Sequence, residues 1–422
     1  MNSQSASRGK ALIEGGTRFE RKPHGFSGLI GRIIAPSIHR ILDRIDQGLK
    51  AGSILGHLPD GTTRLLGGHA PGFDAIVHLN DWRGVVRLAT NGSVGWYQAW
   101  EAGEWESPDP VTVFATFNHN AKSLGETGRA KGPFRWASKV AHWLNRNSRA
   151  GSERNIHAHY DLGNDFYAQW LDPTMSYSSA IFSGDESDAD DLEAAQKRKW
   201  DHLADRLGSP ESLLEIGCGW GALANYFAHR GAAVTAISLS EEQLAWARER
   251  QEPAIGFRKQ DYRDTNGQFD AIVSVEMVEA VGREYWPSYF DCIARNLKPG
   301  GRAAIQFISF NDELFDVYAA SADFIQAYVF PGGLLIRESE FRQLAAERGL
   351  AWENQENFAQ DYAETLRIWR ENFDRAVDEG RLPEGFDARF IRLWRYYLMY
   401  CEGGFRAGGI NVSQVTLVKP AR

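Results

Sequence analysis

The chain has 422 residues, 43% of them hydrophobic, 24% charged and 12% aromatic, a balance that excludes disordered, collagenous and disulfide-dense classes and predicts two to three domains at roughly 100–200 residues each. Its 47 Lys and Arg are outnumbered by 55 Asp and Glu, for a formal charge of -8, so no nucleic-acid partner is expected and any basic partner surface has to be local. Three widely spaced cysteines, Cys218, Cys292 and Cys401, speak for a reducing compartment, the cytoplasm, and against a disulfide framework or a zinc cluster. The first residues lack the apolar core of a secretion signal, and no apolar run approaches the roughly 18 residues of a membrane span.

Residues 1–50 carry nine Lys and Arg against four Asp and Glu, and from Ile30 to Leu49 the isoleucines Ile33, Ile34, Ile38, Ile41 and Ile45 recur with Leu42 at helical spacing, which predicts a basic amphipathic helix. Between residues 52 and 117 the texture changes to short β-like runs, Thr62 to Leu66, Ala75 to Leu79 and Val85 to Leu88, divided by Gly, Asp and Asn, so residues 1–118 read as a small N-terminal α+β domain. Residues 119–154 follow as a basic linker with one helix, eight Lys and Arg against Glu126 and Glu153. A lone charge run is ordinarily a solvated helix face. Two of them in an acidic protein favour a membrane-surface role, since each Lys or Arg near an anionic leaflet contributes about 1 kcal/mol. His157 and His159 form a His-x-His pair without an evident third ligand nearby, so no metal site is expected.

From residue 196 onward strands and helices alternate, the pattern of a doubly wound parallel sheet covered on both faces. Strands are expected at Ser212 to Ile216, Ala233 to Ser238, Gly256 to Lys259, Ala271 to Val275, Ala303 to Ile308, Trp352 to Phe358 and Ile410 to Val418, with helices at Ala222 to Arg230 and Glu241 to Arg250 among the gaps. Two insertions interrupt the alternation, a polar-aromatic one at about 310–337 and a long helical one rich in Arg, Trp and Tyr at about 363–409.

The first of these strands runs into Glu215-Ile216-Gly217-Cys218-Gly219-Trp220-Gly221, glycines close enough for the backbone to turn tightly and approach a nucleoside at a helix N-terminus. Gly217, Gly219 and Ala222 also satisfy the G-x-G-x-x-A dinucleotide fingerprint, with Glu241 about 20 residues further on, so the glycines alone leave the ligand open, and a turn needed only for packing remains an alternative. The acidic Glu215 and the pair Asp261-Tyr262 after the third strand favour S-adenosylmethionine. A nicotinamide reading is weakened because the second strand ends in Ser238-Leu239-Ser240, with Glu241 beyond the strand end where a ribose-binding acid is wanted. Cys218 and Cys401 have no patterned His neighbour and read as structural.

Several strings in order, His159 to Tyr167, Leu214 to Gly221, Ser238 to Gln243, Asp261 to Asp264, Ser274 to Gly282, Phe330 to Gly333, Asp361 to Leu366 and Tyr397 to Arg406, resemble the cyclopropane fatty acid synthase family almost continuously over residues 155–420. Gly95 to Pro110, with Trp96, Trp100 and Trp105, resembles that family's N-terminal domain more loosely. The resemblance implies a class I S-adenosylmethionine-dependent methyltransferase domain over residues 155–422, acting on unsaturated acyl chains of membrane phospholipids from the inner face of the membrane. It implies cofactor contacts from Tyr177, Ser178, Gly217, Gly219, Ser238, Leu239, Gln243, Asp261, Tyr262 and Val275, of which Tyr177 and Val275 have packing as their alternative. A homodimer is compatible with this reading, with dimerisation or lipid delivery as roles left open for the N-terminal domain.

An alkene that takes a methyl from a sulfonium passes through developing carbocation charge, so the site has to exclude water, offer aromatic faces and place a base. Tyr177 and Tyr362 are the expected aromatic wall and Glu279, beyond the end of the fourth strand, the expected carboxylate. In the family's best-known members a bicarbonate is the base, held by positions that correspond to Ser179, Glu279, Gln306, Ile308 and Tyr362. Ser179 and Gln306 replace that family's Cys and His, which changes the donors and the charge and puts bicarbonate in question. Glu276 then becomes a candidate base carried by the chain itself, with a solvated or helix-capping Glu276 as the alternative. Proton loss from the new methyl closes a cyclopropane ring, loss from a neighbouring carbon leaves a methyl-branched alkene, and a non-catalytic lipid-binding protein is the reading from another class.

Overall fold

The computed structural model describes residues 29–125, 162–184, 191–250, 255–320 and 322–421, with side chains from Ile38 onward. His157, His159 and most of the basic linker lie outside the described residues. The helix Leu29–Gly48 covers the expected amphipathic segment, and its described apolar stripe, Ile38, Leu42 and Ile45, is buried. That stripe closes the N-terminal core instead of facing a membrane.

Four short strands follow: β1 (Ser53–His57), β2 (Thr63–Gly67), β3 (Asp74–Leu79) and β4 (Trp105–Glu106), in the order β2-β1-β3-β4. The β-run expected at Val85 to Leu88 is instead the start of a helix, Arg83–Glu101. Two adjacent valines favour a strand locally, but Val85 and Leu88 recur at helical spacing and are buried, as are Trp96 and Ala99 beyond the kink at Gly92 (φ 59), and tertiary packing overrides a weak β-propensity. Pro110–His119 completes this part, capped by Asp109, whose side chain accepts the Thr112 N–H.

The large sheet has the order β11-β12-β9-β8-β5-β6-β7, built from β5 (Ser212–Ile216), β6 (Ala233–Ser238), β7 (Ile255–Lys259), β8 (Phe269–Val275), β9 (Leu297–Phe310), β11 (Ala351–Asn357) and β12 (Ile410–Val418), with the two-residue β10 (Ile336–Arg337) on the end of β9. Strands β5 to β9 pair in parallel, and β12 enters antiparallel between β9 and β11. Leu213 to Ile216 are buried on both faces, as a strand covered by helices on each side requires. β9 starts well before the expected Ala303, because Pro299-Gly300-Gly301 looks like a break yet is absorbed by an irregular register with β8.

The first insertion contributes a π-helical turn, Ile325–Val329, and the second two long helices, Ala359–Asp378 and Ala388–Arg406. One buried core joins them to the N-terminal part: Trp105 and Phe114 share it with Phe166, Trp170, Trp369 and Trp394. Contact is tightest at Gly403, where an added Cβ would lie 2.6 Å from the Phe114 Cβ and 2.7 Å from the Val111 carbonyl oxygen. Helix Pro110–His119 therefore rests on Ala388–Arg406 with almost nothing between them. Glu402 on the same helix is buried and paired with Arg370 at 2.9 Å and Arg406 at 2.7 Å.

Candidate active site

Strand β5 ends where the chain must reverse into helix Ala222–His229. Gly217, Gly219 and Gly221 all take positive φ there, conformations that a side chain strains. The turn is tied to β6 by the Gly217 and Cys218 N–H groups, both donating to the Ile237 carbonyl at 3.0 Å. β6 ends at Ser238, and the chain runs on through Leu239 to Ser240, which caps helix Glu241–Glu249 by accepting the Gln243 N–H. Glu241 lies on that helix and pairs with Arg248, so no carboxylate stands at the strand end to hold a ribose, against a dinucleotide site.

One cavity at this end of the sheet is lined by every expected cofactor position, Tyr177, Ser178, Gly217, Gly219, Ser238, Leu239, Gln243, Asp261, Tyr262 and Val275. An added Cβ on Gly219 would meet nothing within 4 Å, which is the open approach a ligand needs. Asp261 caps the short turn Tyr262–Asp264 and is gripped by the Arg263 guanidinium, at 2.9 Å from Nε and 2.5 Å from Nη2.

Sequence reasoning missed Lys199, which also lines this cavity. It is buried, and its ammonium donates to the Ser178 hydroxyl at 2.7 Å and to Gln196. Burial lowers it to about 8, opposed by the carboxylates of Glu276, Asp172 and Glu215. The signal was legible: Leu192, Ala195, Lys199, Trp200 and Leu203 form the buried stripe of helix Leu192–Leu207, and a lysine on an apolar stripe asks for a partner. Glu215 is likewise pushed up by burial, to about 8.

A second cavity, largely apolar, adjoins the first. Ile308, Phe330, Leu366 and Phe405 line it together with Tyr362 and Tyr397, and Tyr177, Glu276 and Ala280 belong to both cavities. Tyr177 is fixed by its hydroxyl, 2.8 Å from that of Tyr397, and by the Trp369 ring at 5.3 Å. Glu279 lies in the first turn of helix Val278–Val281 and faces the second cavity. One oxygen accepts the Ile308 N–H and the other has no hydrogen-bond partner. Burial, and then the neighbouring Glu276 carboxylate, push it up to about 8.

Glu276 is half-buried, lines both cavities and caps no helix. Its backbone sits at φ 49, an uncommon conformation for a residue with a side chain and one that collects at functional sites. From there its Oε1 accepts the Ser179 N–H at 2.8 Å and the Gln306 Nε2 at 2.8 Å, while Oε2 accepts the Tyr362 hydroxyl at 2.7 Å. The Gln306 amide is oriented by Gln414 of β12, whose Nε2 donates to its Oε1 at 3.1 Å, a positioning residue no sequence motif announced. The Ser179 hydroxyl donates to the Ala180 carbonyl at 3.0 Å. The donors corresponding to the family's bicarbonate site are thus engaged by two carboxylates of the chain itself, Glu276 for Ser179, Gln306 and Tyr362, and Glu279 for Ile308.

A glycine turn at the end of the first central strand, a capped second helix and a 3-2-1-4-5-7-6 order within the large sheet define a class I S-adenosylmethionine-dependent methyltransferase. The profile of the family described as Mycolic acid cyclopropane synthetase matches residues 147–415, and the chain belongs to that family. It is 37% identical over 356 residues to the tuberculostearic acid methyltransferase UfaA1 of Mycobacterium tuberculosis, covering 79% of this chain and 80% of that protein. It is 36% identical over 341 residues to the cyclopropane-fatty-acyl-phospholipid synthase of Escherichia coli, covering 78% and 84%. Among solved structures it resembles mycolic acid cyclopropane synthase CmaA1 complexed with SAH and CTAB, with a TM-score of 0.58 and 26% identity over 63% of this chain and 98% of that one.

Proposed function

We propose that the protein methylates the double bond of an unsaturated acyl chain of a membrane phospholipid, with Glu276 as the base that completes the reaction. S-adenosylmethionine, bound in the cavity along Gly217, Gly219, Ser238 and Asp261, supplies an electrophilic methyl group. The chain's own residues supply the rest. Tyr177 and Tyr362 present rings to the neighbouring apolar cavity, where positive charge on the acyl chain is stabilised by aromatic faces and sheltered from water. Glu276 stands on the wall shared by the two cavities, and that placement is the observation that carries the reading. Two carboxylates this close do not both ionise readily. Burial and the Glu276 carboxylate push Glu279 up, the donors around Glu276 favour its charged form, and the proton leaving the acyl chain goes to Glu276 while Tyr362 and Gln306 hold the carboxylate in place.

Loss of that proton from the new methyl group closes a cyclopropane ring, the product named for the Escherichia coli relative. Loss from an adjacent carbon gives a methyl-branched alkene, a second reading supported by the similarity to UfaA1. Among the described residues no helix is long and apolar enough to cross a membrane. We place the protein at the inner membrane surface, with the basic stretches of residues 1–50 and 119–154 as its electrostatic contact.

The test is mass spectrometry of fatty acids after incubating the protein with S-adenosylmethionine and vesicles of unsaturated phospholipid. A gain of one CH₂ with the double bond lost means ring closure, and a gain with the double bond kept means branching. No gain, with cofactor binding intact, refutes the proposal.

A further inference from the structure

Beyond the catalytic cavity lies a third, between the N-terminal helices and the segment that follows β9. Ile41, Ile45, Leu88, Phe117 and Leu124 line it on the N-terminal side. It shares a wall with the catalytic cavity, since Asn118, Phe310, Tyr318, Asp323 and Tyr400 line both, and the Phe310 and Tyr318 rings stack within that wall, 4.1 Å between centroids and 10° from parallel. Its described lining includes no Lys, Arg or His. Among the described residues a phosphate headgroup finds no cation there, whereas hydrocarbon finds a surface it can cover at a gain of about 25 cal/mol per Å².

An acyl chain reacting in its middle extends from the catalytic cavity in two directions, one toward the ester and headgroup and one toward the methyl end. We infer that the methyl-terminal end passes into this third cavity, so that the N-terminal part of the chain measures the length of hydrocarbon beyond the double bond. The inference rests on the acyl-chain reading above and adds to it a specificity determinant outside the methyltransferase sheet. It gives the tight seating of helix Pro110–His119 on Ala388–Arg406 a functional meaning, since the seating fixes the far wall relative to the base.

The experiment offers the protein mixed vesicles of phosphatidylglycerols bearing myristoleoyl, palmitoleoyl or oleoyl chains, whose double bonds stand equally far from the ester and whose tails lengthen by two carbons at each step. Ala89→Phe fills the third cavity from helix Arg83–Glu101 and is expected to cut the oleoyl-to-myristoleoyl product ratio about tenfold, the effect of about two of the four extra methylenes being denied burial. Leu124→Ala enlarges the far end and is expected to shift the ratio the opposite way, which keeps the test informative if the larger residue prevents folding. Thermal unfolding and S-adenosylhomocysteine binding serve as folding controls. An unchanged ratio in variants that still bind and turn over overturns the inference. So does an equal fall for every chain length, which would mark the cavity as a route in, or a ratio that follows the length of a saturated second chain on the same lipid. Failure of the unsubstituted protein to modify any chain would instead overturn the reading on which the inference stands.

Discussion

Replacing Glu276 by Gln separates charge from shape at the centre of the site. The amide oxygen can take the place of Oε1, where the Ser179 N–H and Gln306 Nε2 both donate at 2.8 Å. The amide nitrogen then faces Tyr362, whose hydroxyl lies 2.7 Å from Oε2 and can turn to accept. All three contacts survive, and what disappears is an anion able to take a proton. Positioned general bases contribute about 10²–10⁴-fold, so kcat is expected to fall on the order of a thousandfold, about 4 kcal/mol of barrier. Binding of S-adenosylmethionine, measured calorimetrically, should stay within about threefold. Because burial raises Glu276 above the ordinary carboxylate range, activity of the unsubstituted protein should climb with pH through its acid limb, and that limb should vanish in the variant. Turnover of Glu276→Gln within about fivefold of the parent, with the same pH profile, would refute its role as the base.

Glu279 predicts a pH dependence of stability. Burial and the Glu276 carboxylate push its carboxyl up to about 8 in the folded protein; the folded state therefore holds a proton that the unfolded chain releases, and its contribution to stability is lost as pH rises from the ordinary carboxylate range through that value. The melting-temperature gain of Glu279→Gln over the parent should widen from acid to mildly alkaline buffer, and parallel curves would contradict this. Gly221→Ala should cost about 2 kcal/mol and weaken cofactor binding in a titration, because its φ is 87 and an added Cβ would lie 2.8 Å from both the Ala247 Cβ and the Phe257 ring. Gly219→Ala, with a positive φ but open space, should unfold at a higher temperature than Gly221→Ala. Glu402→Ala leaves Arg370 and Arg406 without their shared buried carboxylate and should lower unfolding stability in urea by about 2 kcal/mol, less than a fully buried pair would lose because both guanidinium groups reach solvent.

The central strands were legible because burial on both faces writes itself as short apolar runs, as in β5 and β6, while β12 showed itself by alternation of apolar and polar residues. The glycine turn was legible because few residues tolerate its backbone. Val85 and Val86 misled because branched side chains speak for a strand while their long-range partners decide for a helix. Glu276 was visible as a carboxylate of unsettled role, since its three donors come from segments about 30 to 100 residues away in sequence. The amide of Gln414 was silent for the same reason: its meaning depends on β12 lying beside β9. The apolar cavities could not be read at all, being made by the meeting of helices whose individual stripes show only that they pack against something.

The seating of Pro110–His119 on Ala388–Arg406 also bears on how the chain is made. Helix Pro110–His119 precedes its partner helix in the chain by more than 250 residues, so Phe114 reaches the Tyr396 and Tyr400 rings only after that helix has emerged, and β12 must enter between two strands already present. Long-range strand pairing is slow and leaves apolar surface uncovered meanwhile. The N-terminal core is thus completed only after the helix Ala388–Arg406 has been made, and removing that helix and β12 should disable the N-terminal part as well.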